Sequence, residues 1–146
     1  MKKSIAFVLL FLIVFSFSSC KEVSEEIMTQ SNHQNEKNAV YSIISQSEAK
    51  KIMESETEYI ILDAREQYEY NESHIPGAIC IPHTEITSKA AEKLPDKDIL
   101  ILVYCRSGRR SKIAAQTLVD LGYTNVKEFG GIIDWEYETV KENTTV

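Results

Sequence analysis

An uninterrupted apolar run is the feature that most constrains the fold of this chain. Residues 98–105 read D-I-L-I-L-V-Y-C, with no alternation between apolar and polar residues. Such a run is typical of a strand that is buried on both faces of a sheet. Residues 59–63, Y-I-I-L-D, form a second strongly apolar segment that ends on an acid. These two segments predict core strands of a sheet that is covered on both sides.

Helical patterns lie between the predicted strands. Ser45 and Glu48 have the spacing of a capping box and predict the start of a helix. Gly122 is the expected stop of another helix at residues 111–121. The alternation indicates an α/β domain with a mainly parallel five-stranded sheet and helices on both faces. The remaining elements are strands at 41–44, between Pro76 and Pro82, and at 125–129, and helices at 64–70, at 84–94 and after Gly130-Gly131, the last carrying Trp135.

The composition argues against several classes of function. The 146-residue chain has a formal net charge of −6, and no wider basic face accompanies the 106–112 segment, so we expect no nucleic-acid partner. Its cysteines are Cys20, Cys80 and Cys105, and their irregular spacing does not indicate a disulfide framework. No C-x-x-C or His/Cys cluster indicates a metal site. We therefore expect neither a metal nor a cofactor.

Residues 1–19 have the layout of a secretory signal peptide. A basic start precedes an apolar run at Ile5–Phe17, and two serines follow. The run is shorter than the roughly 20 residues of a membrane-spanning helix, so a signal anchor is the less favoured interpretation.

Cys20 directly follows this segment, in the sequence F-S-S-C. The motif resembles the bacterial lipobox, in which the cysteine is diacylated and becomes the mature N-terminus; the alternative is a plain secreted protein. Acyl chains on Cys20 would anchor the protein stably to a membrane. Residues 20–39 are polar and aperiodic, which predicts a disordered tether. We therefore expect an exported, membrane-anchored bacterial lipoprotein, facing the periplasm or the cell exterior, with its folded domain at residues 40–146.

Cys105 and Asp63 both end predicted strands, and ligands of parallel α/β sheets bind beyond the carboxyl ends of the strands. R-S-G-R-R-S follows Cys105. Gly108 allows this segment to curl towards the next helix, so that backbone N–H groups point at one position. Such donors and nearby positive charge lower the pKa of a thiol from about 8.5 to about 3.5–7.5. Cys105 is therefore a candidate nucleophile for an anionic substrate; the alternative is a small core residue at a strand end.

The motifs of residues 41–140 occur in the order found in the rhodanese (sulfurtransferase) family, which this region resembles. They are D-A-R at 63–65, E-Y at 69–70, H-I-P-G-A-I at 74–79, C-R-S-G-R-R-S at 105–111, and G-G at 130–131 followed by Trp135. The resemblance implies a single rhodanese-like domain with thiosulfate sulfurtransferase activity. Its partners would be a small anionic sulfur donor, such as thiosulfate, and a thiol or cyanide acceptor.

The resemblance also implies the roles of the site residues. Cys105 would take the outer sulfur of the donor as a persulfide, which the loop amides would hold. Arg106 and Arg110 would bind the anionic end of the donor, whereas Arg109 is the arginine most expected in solvent. The loop residues concerned are Arg106, Ser107, Gly108, Arg109 and Arg110.

Asp63 and Arg65 would lie beside the loop and support it, although residues of this kind at strand ends can serve the fold alone. Tandem members of the family carry a second arginine at the position of Glu69, so we expect weaker donor binding here. Cys80 is a second thiol that could resolve a persulfide.

Two other functions stay open. Phosphatases and arsenate reductases of the same fold have five residues between cysteine and arginine, whereas four separate Cys105 from Arg110. The shorter loop favours a sulfur atom over a tetrahedral oxyanion. A persulfide-carrying, binding or regulatory module is the other alternative, although regulatory members usually lack the cysteine. The sequence indicates neither the physiological donor and acceptor nor the oligomeric state.

Overall fold

Five parallel strands form one sheet in the computed structural model, which describes residues 40–142. The strands are β1 (Ser42–Ile43), β2 (Tyr59–Asp63), β3 (Ala78–Cys80), β4 (Leu100–Cys105) and β5 (Val126–Gly131), in the spatial order β1-β5-β4-β2-β3. The helices are α1 (Gln46–Ser55), α2 (Gln67–Glu72), α3 (Ile86–Lys93) and α4 (Arg109–Asp120), with 3-10 turns at His83–Glu85 and Ile132–Asp134. The predicted α/β class and its mainly parallel five-stranded sheet are confirmed.

The central strand, β4, lies between β5 and β2. Successive residues of a strand point to opposite faces, and both faces of β4 are buried. Val103 and Cys105 pack in the core cluster that includes α3 and α4, whereas Leu102 and Tyr104 pack in the cluster that includes α1. This burial on both faces explains why the sequence of β4 shows no alternation.

The helix after Cys105 begins earlier than the predicted start at Ser111. α4 starts at Arg109 because Gly108, at φ +88°, turns the chain directly into the helix. Glycine adopts this left-handed conformation freely, whereas other residues lose about 1–2 kcal/mol in it. Arg109 and Arg110 therefore lie in the first helical turn.

The prediction of a terminal helix after Gly130-Gly131 is wrong. A 3-10 turn, Ile132–Asp134, follows β5 and ends at Trp135. Further along, His74 and Val140 exchange two backbone hydrogen bonds of 2.8 Å in an antiparallel bridge. This pairing requires extended backbone and overrides the local helical tendency.

The predictions for the N-terminal region, namely the signal peptide 1–19, lipidated Cys20 and the tether 20–39, lie outside the described residues and stay predictions. Within residues 40–142, no helix has both the length and the apolar character needed to cross a membrane.

Candidate active site

Cys105 ends β4, and its sulfur lies beneath the turn that leads into α4. The residue is only 1% exposed. The amide N–H of Gly108 donates to Sγ, with an N···S distance of 3.1 Å. Because Gly108 is the N-cap of α4, this amide belongs to the cluster of donors that a helix N-terminus leaves unpaired. The sulfur thus occupies an anion-binding position.

The surroundings lower the pKa of the Cys105 thiol. Burial raises this pKa, but the polar groups around the sulfur, namely the hydroxyl and amide of Ser111 and the amides of Ser107 and Gly108, outweigh burial, and the net pKa lies below its ordinary value. The positive end of the α4 dipole acts in the same direction. The site therefore favours a thiolate, the form in which cysteine acts as a nucleophile.

The three loop arginines have different surroundings. Arg106 and Arg109 are exposed, and neither belongs to an ion pair among residues 40–142. Arg110 forms a bidentate pair with Glu69, with N–O distances of 2.6 and 2.8 Å. A donor anion would therefore meet Arg110 only together with the Glu69 carboxylate, whereas Arg106 is available as a cation.

Asp63 and Arg65 form a buried ion pair beside the loop. The Arg65 guanidinium donates to both carboxylate oxygens, and its shortest contact, from Nη2 to Oδ2, is 2.6 Å. Nη2 also donates to the carbonyl of Ser73 at 2.6 Å. The pair thus ties the end of β2 to the turn that enters β3.

A cavity of about 320 Å³ opens next to the loop. Cationic, acidic and apolar side chains surround it: Arg65, Tyr68, Glu69, Glu72, Arg106, Ile132 and Ile133. A larger depression of about 790 Å³ lies at the opposite end of the strands, where β2 and β4 begin, and no residue of the Cys105 loop lines it. The smaller cavity is therefore the candidate binding site.

Gly131 allows the end of β5 to pack directly against the loop. A Cβ at Gly131 would overlap the carbonyl of Arg106 and the Cα of Ser107. The amide of Ile133 donates to that same carbonyl at 3.2 Å. The second glycine of the G-G motif is thus required by close backbone approach, which positions the loop over Cys105.

Sequence reasoning missed a polar pair beneath the loop. Ser111, interpreted only as a helix start, is fully buried, and its Oγ donates to Oε1 of Glu128 at 2.6 Å. Glu128 is 1% exposed. The available signal in the sequence was a carboxylate that stands between the apolar residues Val126 and Phe129 of a predicted strand.

Cys80 lies on the other face of the sheet from Cys105. Asp63 of β2 pairs with Cys80 on one side and with Tyr104 on the other. Residues in register share a face, and adjacent residues of a strand do not, so Cys105 points away from Cys80. Burial raises the pKa of Cys80 to about 12. The geometry gives no support to Cys80 as a resolving thiol.

The chain is similar in sequence to known sulfur-handling proteins. The chain is 39% identical over 80 residues to the thiosulfate sulfurtransferase PspE of Escherichia coli (strain K12), an alignment covering 55% of this chain and 77% of that protein. It is 36% identical over 108 residues to the putative sulfur carrier protein YrkF of Bacillus subtilis (strain 168), covering 73% of this chain and 57% of that protein.

Among solved structures, a rhodanese with anions from E. coli aligns with a TM-score of 0.54 and 37% identity, covering 57% of this chain and 98% of that chain. Residues 45–138 match the family described as Rhodanese-like domain, a match that spans more than half of the chain. This protein belongs to the rhodanese-like domain family.

Proposed function

We propose that this protein is a sulfurtransferase that moves a sulfane sulfur from thiosulfate, or a similar anionic donor, to a thiol or cyanide acceptor. The carrier would be a persulfide on Cys105. The observation that carries the proposal is the hydrogen bond of 3.1 Å from the Gly108 amide to the Cys105 sulfur, at a helix N-terminus that lowers the pKa of this thiol. The similarity to PspE supports this type of transferase.

In the first half-reaction, the Cys105 thiolate attacks the outer sulfur of thiosulfate. The new S–S bond forms as the old one breaks, and sulfite leaves with the electron pair of the broken bond. Cys105 then carries a persulfide whose terminal sulfur is anionic. The amides of residues 106–110 would stabilise that charge, and Arg106 would bind the anionic end of the donor.

In the second half-reaction, an acceptor thiolate or cyanide attacks the terminal sulfur of the persulfide. The bond between the two sulfurs breaks, and Cys105 leaves as a thiolate with the bonding electrons. The donors that lower the pKa of Cys105 also make it a good leaving group. One loop would thus serve both steps of a double displacement.

The size of the loop favours this chemistry over phosphate or arsenate chemistry. Only four residues separate Cys105 from Arg110, and the amide of Gly108 reaches the sulfur itself. Such a turn suits one additional sulfur atom. Arg110 is the arginine that a tetrahedral oxyanion would need, and it is already paired with Glu69 in a bidentate contact.

The decisive experiment is intact mass spectrometry of the purified protein after incubation with thiosulfate. We expect a gain of one sulfur atom, mapped to Cys105 and removed by cyanide as thiocyanate. Cys105→Ser should abolish the gain, whereas Cys80→Ser, the matched control, should retain it. Failure of every sulfane donor to load a protein whose Cys105 reacts with iodoacetamide would overturn the proposal. Loading without turnover to any acceptor would favour a persulfide carrier.

We also propose that the protein is exported and anchored to a bacterial membrane through lipidated Cys20. The basic start, the apolar run Ile5–Phe17 and the F-S-S-C sequence support this. Labelled palmitate should enter the wild-type protein, and the protein should sediment with membranes. Cys20→Ser should lose both properties; an unlabelled wild-type protein would contradict the proposal.

A further inference from the structure

The cavity beside the loop is lined by charged side chains of both signs. Two of them are already neutralised by groups of the protein. The guanidinium of Arg65 is paired with the carboxylate of Asp63, and the carboxylate of Glu69 is paired with the guanidinium of Arg110. A ligand in the cavity would therefore meet these residues as pairs without net charge.

The other charged side chains that line the cavity are Glu72 and Arg106. Both are exposed, and none of the ion pairs found among residues 40–142 includes either of them. They do not pair with each other, although they line the same cavity. The cavity thus presents a cation from the loop and a separate anion from α2 to a ligand.

Tyr68 adds to the side of the cavity that favours a cation. Tyr68 and Glu72 are four positions apart on α2, and residues at this spacing lie on one face of a helix. Both line the cavity, and Tyr68 is 65% exposed. The face of an aromatic ring attracts a cation, as a carboxylate does. α2 therefore contributes two neighbouring groups that favour an ammonium group.

These two groups do not suit the sulfur donor. Thiosulfate has negative charge and no positive charge, so Arg106 would attract it and Glu72 would repel it. Cyanide has no cationic group either. The acceptor thiol is the remaining reactant, and in a double displacement it enters after sulfite has left. At that stage Arg106 is free to bind a second anion.

We propose that the acceptor is a small zwitterionic thiol of the amino-acid type, such as free cysteine. Its ammonium group would bind Glu72 and Tyr68, and its carboxylate would bind Arg106. A cavity of about 320 Å³ lies at the lower end of the size range of ligand sites, which suits so small a molecule. This inference rests on the proposed function and names its acceptor.

The transfer to such an acceptor is balanced without any further reactant. The acceptor thiol loses its proton to water, and its sulfur forms a bond to the outer sulfur of the persulfide. The bond from that outer sulfur to Cys105 breaks, and its electron pair returns to the Cys105 sulfur. The acceptor leaves as a persulfide, so neither an oxidant nor a reductant is consumed.

The test uses full-length protein that has been loaded with sulfur beforehand, so that donor binding does not enter the measured rate. Cysteine has both charges, cysteamine only the ammonium group, 3-mercaptopropionate only the carboxylate, and 2-mercaptoethanol neither. Each rate is divided by the rate at which the same thiolate attacks a small disulfide, which removes differences in nucleophilicity. The wild-type protein should prefer cysteine to 2-mercaptoethanol about four- to twentyfold, since two exposed ionic contacts contribute.

Single substitutions separate the two charges. Glu72→Gln should lower the rates with cysteine and cysteamine about two- to fivefold, and it should not lower the rates with 3-mercaptopropionate and cyanide. Arg106→Ala should lower the rates with cysteine and 3-mercaptopropionate, but not with cysteamine. Glu92→Gln removes an exposed carboxylate of α3 that does not line the cavity, and as the matched control it should change none of these rates. Equal losses with all four thiols, or no loss in Glu72→Gln, would overturn the proposal.

Binding can also be measured without sulfur transfer. S-methylcysteine has both charges but no thiol, and in an NMR titration of sulfur-free protein it should shift the amide signals of Glu72 and Arg106. Its Kd should be about two- to fivefold higher for Glu72→Gln. A protein that transfers sulfur to cyanide, yet neither binds S-methylcysteine nor prefers cysteine, would sink this inference and leave the proposed function standing. A protein that no donor can load would overturn both.

Discussion

Arg110 and Glu69 join the first turn of α4 to α2 through two hydrogen bonds, Nη1 to Oε2 at 2.6 Å and Nη2 to Oε1 at 2.8 Å. The side chains are 16% and 12% exposed. A bidentate pair of this kind has a defined geometry as well as a favourable energy. It therefore holds the amides around Cys105 in place from the outside, as Gly131 does from β5.

We expect the stabilising effect of this pair to vanish in acid. The hydrogen bond from Arg110 lowers the pKa of Glu69 below its ordinary 4.5. A lowered folded-state pKa means that the contribution is complete above the ordinary value and is lost as the pH falls through the folded value. Glu69→Gln should therefore cost about 1–3 kcal/mol near neutral pH, and the difference in Tm from wild type should shrink below pH 4.5.

Thermal denaturation at a series of pH values measures this difference. Glu72→Gln, on the same helix but exposed, is the control and should show little effect at any pH. A difference between Glu69→Gln and wild type that stays constant into acid would contradict the role of the pair.

Replacement of each loop arginine by alanine should have a different effect on steady-state kinetics with thiosulfate and cyanide. Arg106→Ala should raise KM for thiosulfate about two- to fivefold, as expected for one solvent-exposed ionic contact, without changing Tm. Arg110→Ala should lower Tm and kcat, since the loop loses its contact with α2. Arg109→Ala serves as the control with little effect. An identical kinetic profile for all three variants would refute this division of roles.

The two thiols should differ sharply in reactivity. The pKa of Cys105 lies below 9.0, whereas burial raises that of Cys80 to about 12. The thiolate is the reactive form of cysteine. At about pH 8, well below the pKa of Cys80, iodoacetamide should therefore modify Cys105 first. Peptide mapping by mass spectrometry measures the ratio. Equal labelling of both residues in folded protein would contradict the assigned environments.

Gly131→Ala should displace the loop and reduce sulfur transfer strongly. The added Cβ would overlap backbone atoms of Arg106 and Ser107, and overpacking of this kind typically costs about 1–3 kcal/mol. Gly77→Ala is the matched control. At φ +78° it carries the strain of left-handed backbone, but nothing lies within 4 Å of its Cβ. We expect the Gly77 variant to keep the full transfer rate. The Gly131 variant should lose both transfer rate and melting temperature.

Local patterns predicted much of the fold. The strand placed at residues 59–63 has those bounds in the structure, and Ser45 accepts the amide of Glu48, as expected for an N-cap. These features depend on residues a few positions apart, so periodicity and capping chemistry suffice. The position of Cys105 at a helix N-terminus followed from the same local reasoning.

The contacts that complete the site were not predictable in this way. Arg110 and Glu69 are 41 positions apart, and Ser111 and Glu128 are 17 apart. Both pairs arise from the order of strands in the sheet and from which face each residue occupies. A single sequence does not specify that register, so it does not show which carboxylate contacts which donor.

The register that separates Cys80 from Cys105 also bears on oxidative damage. β2 lies between their strands, and with neighbouring strands about 4.8 Å apart, two such steps exceed the roughly 7 Å that a disulfide can bridge between Cα atoms. A sulfenic acid on Cys105 therefore cannot be rescued by an internal disulfide with Cys80. Since residues 40–142 hold no other cysteine, restoration of the nucleophile needs a thiol from outside this region, before further oxidation makes the loss irreversible.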